Sequence, residues 1–191
     1  MFFTPPTILT WTRIVAIPII MGVYFLRMPL ATQNQISAVL FVVFAITDWL
    51  DGYLARKLDM TSSFGAFLDP VADKFLVCAS MLILVHLKRA DVFAAFIIIG
   101  REIAISALRE WMAQIGAARS VAVHMLGKFK TVAQMAAIAL LLYDHPIGDY
   151  THTRLLGFWL LWIAVILTVW SMVYYLRKAL PEIRERANRK H

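Results

Sequence analysis

Cysteine is almost absent from the 191-residue chain. The single Cys78 excludes an internal disulfide and any metal site built on several thiolates, and it leaves the redox compartment unread. Charge is sparse as well: 16% of residues are charged against 61% hydrophobic, and the mean hydropathy is +0.71. A soluble globular domain does not carry that balance. The histidines, at 86, 124, 145, 152 and 191, show no metal-ligand spacing. No glycine pair stands at GxxxG spacing, no segment repeats and none is of low complexity. The net charge of +7 sits at the ends of apolar runs and in the C-terminal tail, without interleaved polar loops. That pattern points to anionic lipid headgroups or an anionic substrate and away from nucleic acid.

What the chain has in quantity is long apolar runs. Crossing a hydrocarbon core of about 30 Å takes about 20 apolar residues, so the length allows about six spanning helices and no separate soluble domain. The expectation is an all-α integral membrane fold, one domain over residues 1–191. Its six transmembrane helices are expected near 8–26, 36–57, 70–87, 91–112, 126–143 and 155–177, forming one bundle with separators at 27–34, 57–68, 88–91, 113–124 and 144–153. The first run has no basic segment before it and no small-residue cleavage pattern after it, so it is expected to be a retained span. With the N-terminus inside, Arg27, Lys88, Arg89 and Arg154 are external, and the other Lys and Arg of the nineteen lie at or near the inner face. Both termini are then cytoplasmic, and the tail from Arg177 onward is a basic segment near acidic lipids. Most of the tryptophans fit interfacial belts or lipid contacts.

The informative stretch lies where the second helix should end: Asp48-Trp-Leu-Asp51-Gly52-Tyr-Leu-Ala55-Arg56, then eight residues, then Gly65-Ala-Phe-Leu-Asp69-Pro70-Val-Ala-Asp73. Asp48 and Asp51 are spaced i,i+3 and Asp69 and Asp73 i,i+4, so each pair shares a helix face. Pro70 suits a first helical position, which makes Asp69 the expected N-cap and puts Asp73 in the opening turn of the third helix. A carboxylate at membrane depth costs on the order of 2.5–3.5 kcal/mol. Two of them about 5 Å apart repel by roughly 3 kcal/mol at an effective dielectric of 20. Divalent cations offset both terms, and oxygen-only donors favour Mg2+ or Mn2+; four carboxylates are enough for two ions. Such a pair of ions polarises phosphoryl oxygens in an in-line displacement. Taken singly, each Asp could equally be a cap or a surface ion-pair partner.

The pattern D-x2-D-G-x2-A-R-x8-G-x3-D-x3-D, intact from Asp48 to Asp73, resembles the signature of the CDP-alcohol phosphotransferases, membrane enzymes of phospholipid synthesis. The likeness extends to Pro6-Thr-Ile-Leu-Thr10-Trp-Thr-Arg13 with Ile17-Pro18, to Arg101-Glu-Ile-Ala-Ile-Ser-Ala-Leu-Arg109-Glu-Trp, and to Gly127-Lys128-Phe-Lys130-Thr131, and so covers nearly the whole chain. It implies a six-helix homodimer of the bacterial cytoplasmic (inner) membrane with a polar cavity open to the cytoplasm. It also implies that Asp48, Asp51 and Asp69 are metal ligands and that Asp73 is the general base and a ligand as well. Gly52, Arg56 and Gly65, with Asp48, would contact the CDP moiety. These roles suit the residues: Gly52 lets a nucleotide approach the backbone, and Arg56 offers a planar fork to a diphosphate. Gly65 reads almost equally well as a loop glycine.

The resemblance is strongest to members that take CDP-diacylglycerol as donor and sn-glycerol 3-phosphate as acceptor. An acceptor phosphate needs cations, and the inner-face candidates are Arg13, Arg101, Arg109, Lys128 and Lys130, with Thr10 and Ser120 adding hydrogen bonds. Arg101 and Arg109 stand about 80° apart around one helix and can face one cavity. The plainer account pairs Arg101 with Glu102 or Glu110, pairs Arg109 with Glu110, and leaves the lysines to the positive-inside bias. Two rival functions stay open at this level. One is a sibling enzyme using inositol phosphate, serine or phosphatidylglycerol as acceptor; the other is a divalent-cation transporter, whose carboxylates would be spread through membrane depth.

Overall fold

The computed structural model describes residues 5–58, 63–116, 125–146 and 152–188. Six helices hold most of them: α1 (Pro5–Val23), α2 (Leu30–Leu58), α3 (Ser63–His86), α4 (Val92–Gln114), α5 (Met125–Tyr143) and α6 (Thr153–Asn188). No strand occurs among the described residues, so the all-α expectation holds. Two windows, Leu30–Thr47 in α2 and Thr153–Pro181 in α6, are long and apolar enough to cross a membrane; Ile14–Val23, Lys74–His86 and Phe129–Tyr143 are shorter apolar stretches. Every helix turns large apolar side chains outward, among them Ile19, Val43, Phe75, Phe96, Val132 and Trp170. An exterior of that kind suits contact with lipid or with other protein rather than water.

Inside, one core takes a residue from every helix, including Ile20, Phe41, Leu84, Ile98, Leu141 and Leu161. α6 packs along α5, α1 lies against α2 and α3, α2 also meets α5, and α4 is held between α3 and α6. Gly157 sets the α5–α6 approach: a Cβ there would stand 2.8 Å from Leu141 Cγ and 3.2 Å from Leu140 Cβ. Only a residue without a side chain fits so close a crossing.

The helices depart from the expected boundaries at three places, each for a physical reason. The apolar run from Ile8 stays apolar to Leu26, yet α1 ends at Val23. Tyr24, Phe25 and Leu26 instead form a turn by donating to the carbonyls of Met21, Gly22 and Val23. α2 then starts at Leu30, six residues before the expected 36, because Gln33 and Asn34 are buried helix residues with partners rather than linker. Gln33 Nε2 donates to Leu26 O at 2.7 Å, and Asn34 Oδ1 accepts from Arg89.

The second departure is at α3, which begins at Ser63. Asp69 is therefore not an N-cap, Asp73 is not in the opening turn, and Gly65 is a helix residue rather than a loop glycine. Pro70 sits inside the helix, where it removes one backbone donor that would bond four residues back. The third departure is at the C-terminus: α6 continues to Asn188 with Pro181 inside it, so the basic tail after Arg177 is helical rather than a separate segment.

A buried guanidinium fixes the relative direction of the helices. Arg89, in the α3–α4 turn, is 7% exposed. Its Nη1 donates to Leu141 O and Leu142 O at 3.2 and 3.1 Å, its Nη2 to Asn34 Oδ1 at 3.0 Å, and its Nε pairs with Asp144 Oδ2 at 3.1 Å. Arg154 Nη2 donates to Lys88 O at 3.3 Å across the same junction. The start of α2, the ends of α3 and α5 and the start of α6 thus meet at one end of the bundle. The end of α2 and the starts of α3 and α5 accordingly lie at the other.

Candidate active site

That other end carries the residues on which the chemistry was expected. α2 runs without a break through Asp48, Asp51, Gly52 and Arg56, and Asp48 lies fourteen residues, roughly 21 Å of helix, beyond Asn34 at the Arg89 junction. α3 carries Gly65, Asp69 and Asp73 at successive i,i+4 steps, in line along one side of the helix. The side chains of Asp48, Asp51, Arg56, Asp69 and Asp73 lie outside the described residues, as do those of Thr10 and Arg13 on α1 and Lys128 on α5. Ser120 lies outside them altogether.

The described part of the site is a cationic cluster where α4, α5 and α6 meet. Lys130, in the first turns of α5, is 2% exposed, and Arg101, midway along α4, is 8% exposed. Burial at that level requires a counter-charge. Glu102 supplies it: its Oε1 accepts from Lys130 Nζ and, at 3.5 Å, from Arg101 Nη1. Arg101 Nη2 donates to Ser171 Oγ on α6 at 3.1 Å, and that hydroxyl donates in turn to Thr168 O at 2.9 Å. Ser106 Oγ donates to Glu102 O at 2.8 Å, adding a second tie to the turn that carries the carboxylate.

Two turns along α4, Arg109 joins the same cluster. Tyr175 of α6 is 1% exposed, and both guanidiniums lie over its ring, Arg101 at 5.9 Å from the centroid and Arg109 at 5.3 Å. The arc of about 80° between the two arginines thus faces one aromatic ring, as their spacing predicts. The plainer account holds in part for Arg101, which bonds Glu102, whereas Lys130, left there to the positive-inside bias, is instead buried against the same carboxylate. It does not hold for Arg109, which makes no ion pair with Glu110 among the described residues and stands over Tyr175 instead.

Among the described residues the cluster has surplus positive charge: Arg101 and Lys130 share the carboxylate of Glu102, Arg109 stands over Tyr175, and these four charged side chains balance at +2. Arg101 Nε and Arg109 Nε are buried without a hydrogen-bond partner among the described residues. An unpaired buried donor on a charged group is costly, and an anion that accepted from these N–H groups would remove that cost. A phosphate dianion matches the surplus in sign and in size. Sequence spacing brought Arg101, Arg109 and Lys130 into view, and Glu102 only as a surface partner. It gave no hint of Ser171 or Tyr175, which stand about 70 residues away and carry no local pattern.

The chain matches the family model described as CDP-alcohol phosphatidyltransferase over residues 3–170. Among similar proteins is one from Salmonella choleraesuis (strain SC-B67), 46% identical over 182 residues, covering 94% of this chain and 96% of the relative. A second, from Haemophilus influenzae (strain ATCC 51907 / DSM 11121 / KW20 / Rd), is 44% identical over 181 residues, with 94% and 95% covered. A third, from Shigella flexneri serotype 5b (strain 8401), is 43% identical over 185 residues, with 96% and 98% covered. All three are named CDP-diacylglycerol–glycerol-3-phosphate 3-phosphatidyltransferase.

Proposed function

The chain belongs to the CDP-alcohol phosphatidyltransferase family, and from that premise we propose that it transfers the phosphatidyl group of CDP-diacylglycerol to sn-glycerol 3-phosphate, giving phosphatidylglycerophosphate and CMP. The observation that carries this reading is near-full-length identity of 43–46% to relatives named for that reaction. The +2 surplus beside Tyr175 supports the acceptor, because glycerol 3-phosphate brings a dianion where serine brings none.

In this reading the domain is a single bundle of six spans, with both termini and a polar cavity on the cytoplasmic side of the bacterial inner membrane, working as a homodimer. One substrate is anchored in lipid and the other is water-soluble, so the reaction has to run at the membrane edge. Asp48, Asp51, Asp69 and Asp73 form an all-oxygen donor set, with no sulfur or imidazole at those positions, and that set fits hard divalent cations. Two Mg2+ or Mn2+ ions held there would polarise the diphosphate and take up the charge of the departing CMP.

The protein's own groups do the remaining work. Gly52 and Gly65 leave room for the nucleotide, while Arg56 and Asp48 contact the CDP moiety. Arg101, Arg109 and Lys130, with Arg13, Thr10, Ser120 and Lys128, hold the acceptor phosphate so that the 1-hydroxyl faces the phosphorus next to the lipid. Asp73 accepts the hydroxyl proton as the oxygen bonds to that phosphorus and the bond to CMP breaks.

The test is a release assay with purified protein, CDP-diacylglycerol and Mg2+ or Mn2+. CMP should appear only when glycerol 3-phosphate is added, and chelation should stop it reversibly. CMP release that ignores glycerol 3-phosphate but follows inositol phosphate, serine or phosphatidylglycerol would reassign the acceptor.

A further inference from the structure

A cavity of about 860 Å3 opens at the Arg89 end of the bundle, between the α3–α4 turn and the start of α6. It lies far from the reaction: Lys88 is fifteen residues, roughly 22 Å of helix, from Asp73 along α3. Its rim carries Lys88, Arg89, Asp91, His152 and Arg154, and its wall includes Val92, Leu155 and Phe158. Arg89 is spent on the helix junction described above. Asp91 caps α4 by accepting from Phe93 N at 2.7 Å, and Asp144, just behind the rim, pairs with Arg89 and lies 3.9 Å from Arg154 Nε. Among the described residues, Lys88, Arg89 and Arg154 stand against the carboxylates of Asp91 and Asp144, and Lys88 and Arg154 are the exposed cations.

The wall is as informative as the rim. Val92, Leu155 and Phe158 are all exposed large apolar side chains, so the lining combines exposed basic groups with bare hydrocarbon. A soluble anion would use the rim and leave the wall uncovered. A zwitterionic lipid would bring its own cation to a rim already positive. The geometry points to a binding site for one anionic phospholipid of the outer leaflet. Its phosphodiester lies between Lys88 and Arg154, and its acyl chains run along Val92, Leu155 and Phe158. This inference rests on the membrane-spanning arrangement proposed above, but the lipid is neither donor nor acceptor in the reaction.

The experiment uses the full chain in phosphatidylcholine nanodiscs saturated with CDP-diacylglycerol, so that the donor site is filled. Spin-labelled phosphatidylglycerol or spin-labelled phosphatidylcholine is added, and the motionally restricted fraction is read by electron paramagnetic resonance. The wild-type chain should select phosphatidylglycerol over phosphatidylcholine by at least roughly fivefold, the scale expected of one surplus cation near a membrane surface. The double variant Lys88→Gln/Arg154→Gln should lower that selection by roughly fivefold, to what the basic inner-face residues supply, while turnover stays at the wild-type rate, and Lys88→Gln with Arg154→Lys should restore part of the loss. Equal restriction of both labels by wild type, selection unchanged in the double variant, or displacement of the label by inorganic phosphate would each overturn the proposal. Absence of turnover in a wild-type sample that still selects phosphatidylglycerol would count against the enzyme reading alone.

Discussion

Replacing Arg109 with Met removes one of the two surplus positive charges at the α4–α6 contact while leaving a side chain of similar length. Arg109 is the cleaner probe of the pair. Arg101 is tied to Glu102 and Ser171, so its loss would disturb folding as well as binding, whereas Arg109 lies over the Tyr175 ring and its buried Nε has no hydrogen-bond partner among the described residues. The free protein loses a cation–π contact of about 0.5–2 kcal/mol and is relieved of a poorly solvated charge, so its stability should change little. The acceptor complex loses a charge-assisted hydrogen bond to phosphate, about 1.5–3 kcal/mol. That range corresponds to a rise of roughly 10- to 150-fold in KM for glycerol 3-phosphate. CMP release measured across glycerol 3-phosphate concentrations, at saturating CDP-diacylglycerol, should show this rise with kcat held within about threefold and KM for the lipid donor unchanged. Arg109→Lys should recover only part, since an ammonium cannot present the planar fork. A KM within twofold of wild type, or a loss confined to kcat, would refute the assignment of the surplus charge to the acceptor.

Three further outcomes follow from the geometry. Asp73→Asn should cut turnover by about 10²–10⁴-fold while CDP-diacylglycerol still binds; normal turnover would remove Asp73 as the base. Arg89→Gln takes the donor from two α5 carbonyls and leaves Asp144 with Arg154 alone, 3.9 Å away, and should lower stability in detergent by about 3–5 kcal/mol. Adding Asp144→Asn should recover part of that loss, and strict additivity in the double-mutant cycle would mean that the ion pair contributes nothing. Gly157→Ala puts a Cβ against Leu140 and Leu141, and should cost about 1–3 kcal/mol in a chemical unfolding titration. An unchanged midpoint would show that α5 and α6 can separate freely.

Local order along the chain is enough for some of these features. Apolar runs located all six helices, since a helix that buries or faces hydrocarbon on most sides needs a continuous stretch of such residues. Spacing put Asp48 with Asp51 and Asp69 with Asp73 on their helices, because 3.6 residues per turn holds wherever a helix forms. Local order misled where the partner was distant. Gln33 and Asn34 looked like linker because polarity alone does not reveal that Leu26 O and Arg89 wait for them. Asp69-Pro70 looked like a helix start, yet α3 had already begun at Ser63 and ran through the proline. Glu102 between Lys130 and Arg101, Tyr175 under two arginines, and Arg89 across the helix ends were decided only by tertiary packing. Each joins groups tens of residues apart whose need for one another arises only when charge and backbone are taken out of water together.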